Sequence, residues 1–420
     1  MTKWNDFFPL ILFVFIFYIG VVFEGCALCV NASSLSVYGG RVIRVPEDHS
    51  TIAYAIGNAS EGDTIVVGNG VYRESGVVVD KSVRIVGVDR NGVVVDGGGV
   101  SGPILIINSN GVILENLTLR NTDLWTEGAS AVTLRDVDGV VVKNMLISSV
   151  AVGVHVRDSN YSFIMYCDFS GISVSGIKIS GVSCNNTLVG NTFRDLPNKA
   201  VTIASADSKF TRLYHNNFFN SSVPLPPATT FFDNGYPSGG NFWSDHVRVD
   251  LKHGPAQDED GSDGIVDVGY PSDFPWDRYP LMFAVVKVDV LFEWGSFEVL
   301  VSSNASLVSW SLNVSGKFLE LFFEGVDGGG VSCRVWIPKG MLSCSSLNDW
   351  VVICDGENLS FLVEEDDAFS YFHLVFLQSD PCVVRVVGTW VVPEFSFFSV
   401  LFLIVVFSFL GVMIKFVFAF

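Results

Sequence analysis

A short Val/Ile run, a polar turn carrying Asn or Gly, and a second short run recur between about residues 40 and 240. Val112-Ile113-Leu114-Glu115-Asn116-Leu117-Thr118-Leu119 aligns with Val140-Val141-Val142-Lys143-Asn144-Met145-Leu146-Ile147. Thr187 to Phe193 and Thr211 to Phe218 continue the series, and Phe163 to Phe169 fits with Cys167 in place of Asn. Aligned this way, the marker residues are Asn116, Asn144, Cys167, Asn191 and Asn216, at steps of 28, 23, 24 and 25. Such a period calls for a stacked-repeat fold. Strands this short cannot each bury an apolar face, whereas one coil per repeat builds a continuous core. The Leu-x-x-Leu-x-Leu pattern of leucine-rich repeats is missing, so the reading is an all-β chain that begins with a parallel β-helix over residues 40–245.

A second run, offset from the first, supplies another face: Val132 to Arg135, Val154 to Arg157, Ile177 to Ser180 and Val201 to Ala204. Alternation places Val132, Leu134, Val154, Val156, Ile177, Ile179, Val201 and Ile203 inside. Asparagines at one position of successive coils are expected to form a side-chain amide ladder. The open N-terminal end needs a cover. Ser50 to Ile56 offers a helix with Asp48 or Ser50 as N-cap and Ile52, Ala55 and Ile56 on one face. About nine coils at roughly 4.8 Å each predict a rod of some 40 Å. A Gly/Asp/Pro-rich segment, 246–283, then separates the repeat from an alternating region, 284–392, read as a small β-sandwich.

The two ends are apolar. Phe7 to Phe23, after Lys3 and before Gly25-Cys26-Ala27, reads as a signal peptide or an uncleaved signal anchor within residues 1–30. Residues 395–420, broken only by Lys415, are long enough for a transmembrane helix. Everything between would face outward, at the cell surface. Two features agree with export. Asn31, Asn58, Asn116, Asn160, Asn185, Asn220, Asn304, Asn313 and Asn358 each open a glycosylation sequon. Four of the eight cysteines, Cys333, Cys344, Cys354 and Cys382, fall in one short region, which suggests one or two disulfides among three possible pairings.

With 44 acidic and 25 basic side chains, a formal charge of −19, the chain is no nucleic-acid binder, because it would repel phosphates over most of its surface. Its basic groups concentrate on the outward side of the second run. Thr133, His155, Lys178 and Thr202 form one expected column; Arg135, Arg157, Ser180 and Ala204 form the next. Arg135, His155, Arg157 and Lys178 are therefore the candidate ligand-binding residues for an anionic or hydroxyl-rich glycan. The competing reading is a ladder of local ion pairs. Asp136 and Asp158, one coil apart, are weak catalytic candidates, since glycoside hydrolysis needs two carboxylates at roughly 5–9.5 Å; carboxylates after strands are also ordinary turn residues. Asp258, Asp260, Asp263 and Asp267 lie in a Gly-rich acidic stretch with the oxygen density that calcium requires. A solvated acidic loop is the alternative.

Val45-Pro46, Thr51-Ile52, Ala55-Ile56, Gly62-Asp63-Thr64-Ile65, Gly70-Val71-Tyr72-Arg73-Glu74 and Val83-Arg84-Ile85-Val86-Gly87 together resemble the opening of right-handed β-helix proteins of the pectin-lyase superfamily. The closer resemblance is to the NosD-like group, described as carbohydrate-binding and sugar-hydrolase β-helices. Phe232 to Asp245, Gly261 to Ile265 and Asp277 to Leu281 resemble the closing block of archaeal members, and Pro393-Glu394-Phe395 before the terminal run resembles a surface-protein sorting tail. The resemblance implies a right-handed solenoid and a carbohydrate partner. It also suggests copper, which the six scattered histidines and scarce Met disfavour. The expected function is glycan binding or adhesion at the cell surface. The competing functions are a polysaccharide lyase or glycoside hydrolase, and a structural envelope protein without a ligand.

Overall fold

The computed structural model describes residues 40–392 apart from 198, 274, 293–294, 325–329 and 378–381. The expected leader or anchor over 1–30, the expected span over 395–420 and Asn31 lie outside the described residues. Among the described residues, no helix is long and apolar enough to cross a membrane.

The repeat folds as a right-handed parallel β-helix. Eight strands of three or four residues, from Val42–Val45 to Arg212–Tyr214, stack in parallel as one sheet. Successive coils lie residue on residue: Ile113 pairs with Val141, Val141 with Phe163, Phe163 with Thr187, and Thr187 with Arg212. The second run builds the other large sheet. In it, Leu146–Arg157 and Asp168–Ser180 are long strands carrying a bulge between Val150 and Val152. Val132, Leu134, Val154, Val156, Ile177, Ile179 and Val201 are fully buried as the alternation predicts, and Ile203 packs partly buried against them. The eight coils make a rod of roughly 34 Å. A rudimentary ninth follows, where Phe231 bridges to Arg212 and Phe242–Trp243 pairs with Asn217 and Phe218.

The side-chain ladder differs from the expected one by a single residue in the first two coils. Register places Asn116, Asn144, Tyr166, Gly190 and His215 at one outer turn, all with φ between 51° and 65°. Asn tolerates this left-handed conformation better than most residues. The inward position one residue later holds Leu117, Met145, Cys167, Asn191, Asn216 and Asn241. A buried ladder therefore exists only in the last coils. The Asn191 amide donates to Asn216 Oδ1 (3.0 Å), and that of Asn216 to Asn241 Oδ1 (2.9 Å). At its head, the Cys167 N–H donates to Asn191 Oδ1 (3.0 Å). At its foot, fully buried Asp277 accepts from the Asn241 N–H (2.7 Å) and Trp243 Nε1 (2.9 Å). Burial pushes the Asp277 carboxyl up to about 7, against these hydrogen bonds. Beside the ladder, Phe169, Phe193, Phe218, Trp243 and Tyr270 stack with centroids 5.0, 5.1, 4.1 and 4.1 Å apart. Gly153 makes room for them, since a Cβ there would lie 2.7 Å from the Phe169 ring.

Helix Ile52–Asn58 closes the N-terminal end with Ile52, Ala55 and Ile56 buried. Its N-cap is Thr51, whose hydroxyl accepts from the Tyr54 N–H (3.1 Å), rather than Asp48 or Ser50. Asp48 instead accepts from the Arg44 N–H (2.7 Å). Glu74 takes the first helical amides, Ile52 N–H (2.8 Å) and Ala53 N–H (2.9 Å).

After the closing segment, two five-stranded antiparallel sheets share one core that includes Val288, Val299, Phe323, Val335, Phe372 and Val384. This sandwich is fixed to the solenoid end. Trp336 Nε1 donates to Ser238 O (2.9 Å), and Asn217 exchanges two hydrogen bonds with the Val285 backbone (2.7 and 2.9 Å). Buried Arg334 donates to the carbonyls of Pro237 and Asp263 between the rings of Trp336 and Tyr371. Replacing Asn216 by Leu strands the buried Asn191 N–H. We expect a loss of about 2–4 kcal/mol in urea unfolding; unchanged stability would mean that the ladder carries no net energy.

Candidate functional site

Strand register brings the expected basic stripe together. Thr133 pairs with His155, His155 with Lys178 and Lys178 with Thr202, while Arg135 pairs with Arg157 and Arg157 with Ser180. The columns are not uniformly open. Thr133 is buried and its hydroxyl bonds Ser130 (2.7 Å); His155 is half-buried and its Nε2 lies 2.8 Å from Ser180 Oγ. Burial, then the charges of Lys178 and Arg157, push the His155 imidazole down to about 4, with Glu127 opposing. At neutral pH the stripe therefore carries three cations, Arg135, Arg157 and Lys178. Arg135 and Arg157 are exposed. Arg157 lies 3.5 Å from Asp158, a loose pair of the kind that contributes little.

The structure adds a loop that sequence reasoning missed. Asp123 folds residues 123–129 over the edge of the stripe: its carboxylate accepts from the Trp125 N–H (2.9 Å) and the hydroxyls of Thr126 (2.7 Å) and Ser101 (3.1 Å). These bonds hold the Asp123 carboxyl below the usual range. The loop then reaches a later coil, where Ser173 Oγ donates to Leu124 O and Lys178 Nζ donates to Glu127 Oε2 (2.9 Å). Trp125, at 89%, is the most exposed large hydrophobic side chain among the described residues. A signal for this loop was available. The step from Asn116 to Asn144 is 28 residues, the longest of the four marker steps, and this loop lies within it.

Asp136 and Asp158 sit on adjacent coils directly after Arg135 and Arg157, both with left-handed φ (52° and 49°). Asp158 Oδ1 accepts from the Val182 N–H of the next coil (2.9 Å), so its carboxylate ties neighbouring coils together. The four acidic-loop residues do not converge on one point. Asp260 pairs with Lys252; buried Asp263 accepts from Ile265 N–H (2.9 Å) and Gln257 Nε2 (3.0 Å); Asp267 accepts from the amides of Leu251 and Lys252 (3.1 Å); Asp258 is exposed. Three of the four thus serve this chain's own donors. Among the sequons, Asn58, Asn185, Asn220, Asn304, Asn313 and Asn358 are exposed. Asn116 and Asn160 are half-buried; Asn116 Oδ1 accepts from Asn144 (2.6 Å), and the Asn160 amide donates to Asp138 (3.0 Å). Cys333 is buried in the sandwich core, Cys344 is half-buried, and Cys354 and Cys382 face each other.

A cleft of about 330 Å³ at the junction with the sandwich is lined by Glu115, Asn116, Lys143, Asn144, Lys287 and Glu298 among others. Its cations are already paired: Lys143 with Glu298 (2.6 Å) and Lys287 with Asp289 (2.6 Å). The stripe and its Trp125 loop are therefore the candidate site.

Residues 70–235 match the family model described as a right handed beta helix region. No curated protein matches the chain. Among solved structures, the pectin methylesterase PemA from Erwinia chrysanthemi is 18% identical, covering 44% of this chain and 78% of its own, with a TM-score of 0.31. The pectin methylesterase from Yersinia enterocolitica is 20% identical over 48% and 72%, at 0.34. A PL6 family alginate lyase is 13% identical over 48% and 38%, at 0.26. At such scores no activity passes from these proteins to this chain.

Proposed function

We propose that this protein is an exported, NosD-like β-helix module that binds an acidic glycan, and that the stripe of Arg135, Arg157 and Lys178 with Trp125 is its binding surface. The observation that carries the reading is Trp125, a large apolar side chain held almost wholly in water on a loop whose Glu127 pairs with Lys178 of the stripe. Leaving it exposed forgoes about 2–3 kcal/mol of burial, and its backbone is nevertheless fixed by Asp123. An indole stacks on the apolar face of a sugar ring, and guanidinium and ammonium groups pair with uronate carboxylates. The site thus offers both halves of a charged sugar its complement. Anchoring at the cell surface through residues 395–420 completes the proposal and rests on the apolar run there.

Affinity electrophoresis in polygalacturonate and alginate gels tests this reading. The double substitution Arg157→Ala plus Lys178→Ala is expected to abolish retention, and Trp125→Ala to weaken it about tenfold, roughly 1.4 kcal/mol. Equal retention of all three proteins would refute the surface, and release of new reducing ends would make the protein an enzyme instead.

Glu127 holds the Lys178 ammonium that a ligand carboxylate would take. Glu127→Gln is therefore expected to tighten binding about two- to fivefold, the worth of one exposed ion pair; weaker binding would show that the pair positions the loop.

His155 gives a pH signature. Its folded-state pKa lies below the ordinary histidine value, so its contribution to stability is present above about pH 6.5 and is lost as the pH falls through about 4. NMR titration of the ring should show a midpoint near 4, and retention between pH 5 and 7 should not follow it. A midpoint near 6.5 would restore a fourth cation to the stripe.

A further inference from the structure

We infer that Cys354 and Cys382 are joined by a disulfide, and that Cys333 and Cys344 are not. Cys354 ends strand Val351–Cys354 and pairs across a tight turn with Glu357. The two residues of that turn, Asp355 and Gly356, have φ of 50° and 91°, as a two-residue hairpin requires. The turn is pinned to the neighbouring strand twice: the Asp355 N–H donates to Val383 O (3.0 Å) and the Val383 N–H to Asp355 Oδ1 (2.9 Å). This places Cys354 Sγ 3.1 Å from Cys382 Sγ at the start of Cys382–Val387. Cys333 lies fully buried on a strand of the other sheet, and among the described residues the thiol–thiol contact is that of Cys354 with Cys382.

A metal ion is the competing occupant. Cys354, Asp355 and Cys382 are the one group of potential ligands among the described residues whose donor atoms lie within 4.8 Å of one another. Two thiolates on a tetrahedral zinc with bonds of about 2.3 Å sit roughly 3.8 Å apart, and a structural zinc needs four ligands where only three candidate donors gather here among the described residues. The Asp355 carboxylate is also engaged with the Val383 amide. A covalent bond of about 2.05 Å needs an approach of about 1 Å, which side-chain rotation of the two cysteines supplies.

The link has a structural purpose. Between the two cysteines the chain forms Glu357–Asn358, crosses to the opposite sheet for Phe361–Glu365 and Phe369–Leu377, and returns. The bond closes this 28-residue excursion between neighbouring strands of one sheet, and so restricts the unfolded chain. Its formation is a thiol–disulfide exchange. One cysteine thiolate attacks the disulfide of an oxidised dithiol oxidoreductase or of oxidised glutathione, and the second displaces the carrier. The pair gives up two protons and two electrons, and the donor leaves as thiols.

The full chain, equilibrated in glutathione redox buffers, alkylated and digested without reduction, tests the assignment. The expected product is a Cys354–Cys382 peptide pair lacking two hydrogens, with Cys333 and Cys344 alkylated once the protein is denatured. Reductant is expected to lower the melting temperature of the native protein by about 5–10 °C and to leave a Cys354→Ser, Cys382→Ser double variant unmoved. Linkage to Cys333 or Cys344, four alkylated thiols from oxidising buffer, or stoichiometric zinc that protects the pair from oxidation would each overturn it.

Discussion

No coil of the solenoid can stand alone, because each three-residue strand satisfies its amides and carbonyls only through the coils before and after it. The whole molecule rests on that borrowing, and the two ends decide whether it closes. At the first coil, Asp63 gathers the backbone amides of Arg41 (2.7 Å) and Ser60 (2.8 Å), and Glu74 gathers those of the capping helix. At the last, the Asn191–Asn216–Asn241 ladder hands its final donors to Asp277 while Trp243 stacks on Tyr270. A carboxylate does at each end what the next coil would have done. The cost differs between them. Hydrogen bonds hold the Asp63 carboxyl below its usual range, whereas burial raises that of Asp277 to about 7, so the C-terminal closure is the more costly to keep charged.

That difference explains why the sandwich packs where it does. A buried carboxyl, a buried Arg334 and the His215 ring against Trp336 are costly to take out of water, and hydrogen bonds to backbone carbonyls and amides offset that cost. The closing segment supplies the acceptors as backbone carbonyls, and the sandwich supplies the lid. His215 Nε2 meets Ser238 O at 2.8 Å, the same carbonyl that receives Trp336. Solenoid, closing segment and sandwich thus share one polar core as well as neighbouring apolar ones.

The repeat, the buried Val/Ile columns and the stacked stripe were legible in the sequence because each depends on one property at a fixed spacing. The asparagines were harder, since this residue suits two adjacent positions for different reasons. Asn116 and Asn144 occupy an outer turn that needs left-handed backbone, whereas Asn191 and Asn216 occupy an inner position that needs an amide able to donate and accept. An alignment on residue identity merges the two, and only coil register separates them. The acidic loop also has to be read from its contacts. Its density of carboxylates invites a cation, but Asp263 and Asp267 are occupied with the amides of their own chain. Trp125 escaped notice because a period directs attention to what recurs, and this loop occurs once.

That single occurrence is itself an argument about where binding lies. A solenoid offers nearly the same surface on every coil, so a specific site needs something the repeat does not provide, and loops carried on a rigid scaffold are the usual source. With a net charge of −19 the molecule repels an acidic polymer at a distance. Attraction must therefore act within a Debye length of about 8 Å at physiological salt. Cations confined to two columns of neighbouring coils, with the Trp125 loop tied to one of them through Glu127, fit that condition on the proposed reading. Glu127 pairs with Lys178 at 2.9 Å, so on the proposed reading a ligand carboxylate competes with it for that ammonium.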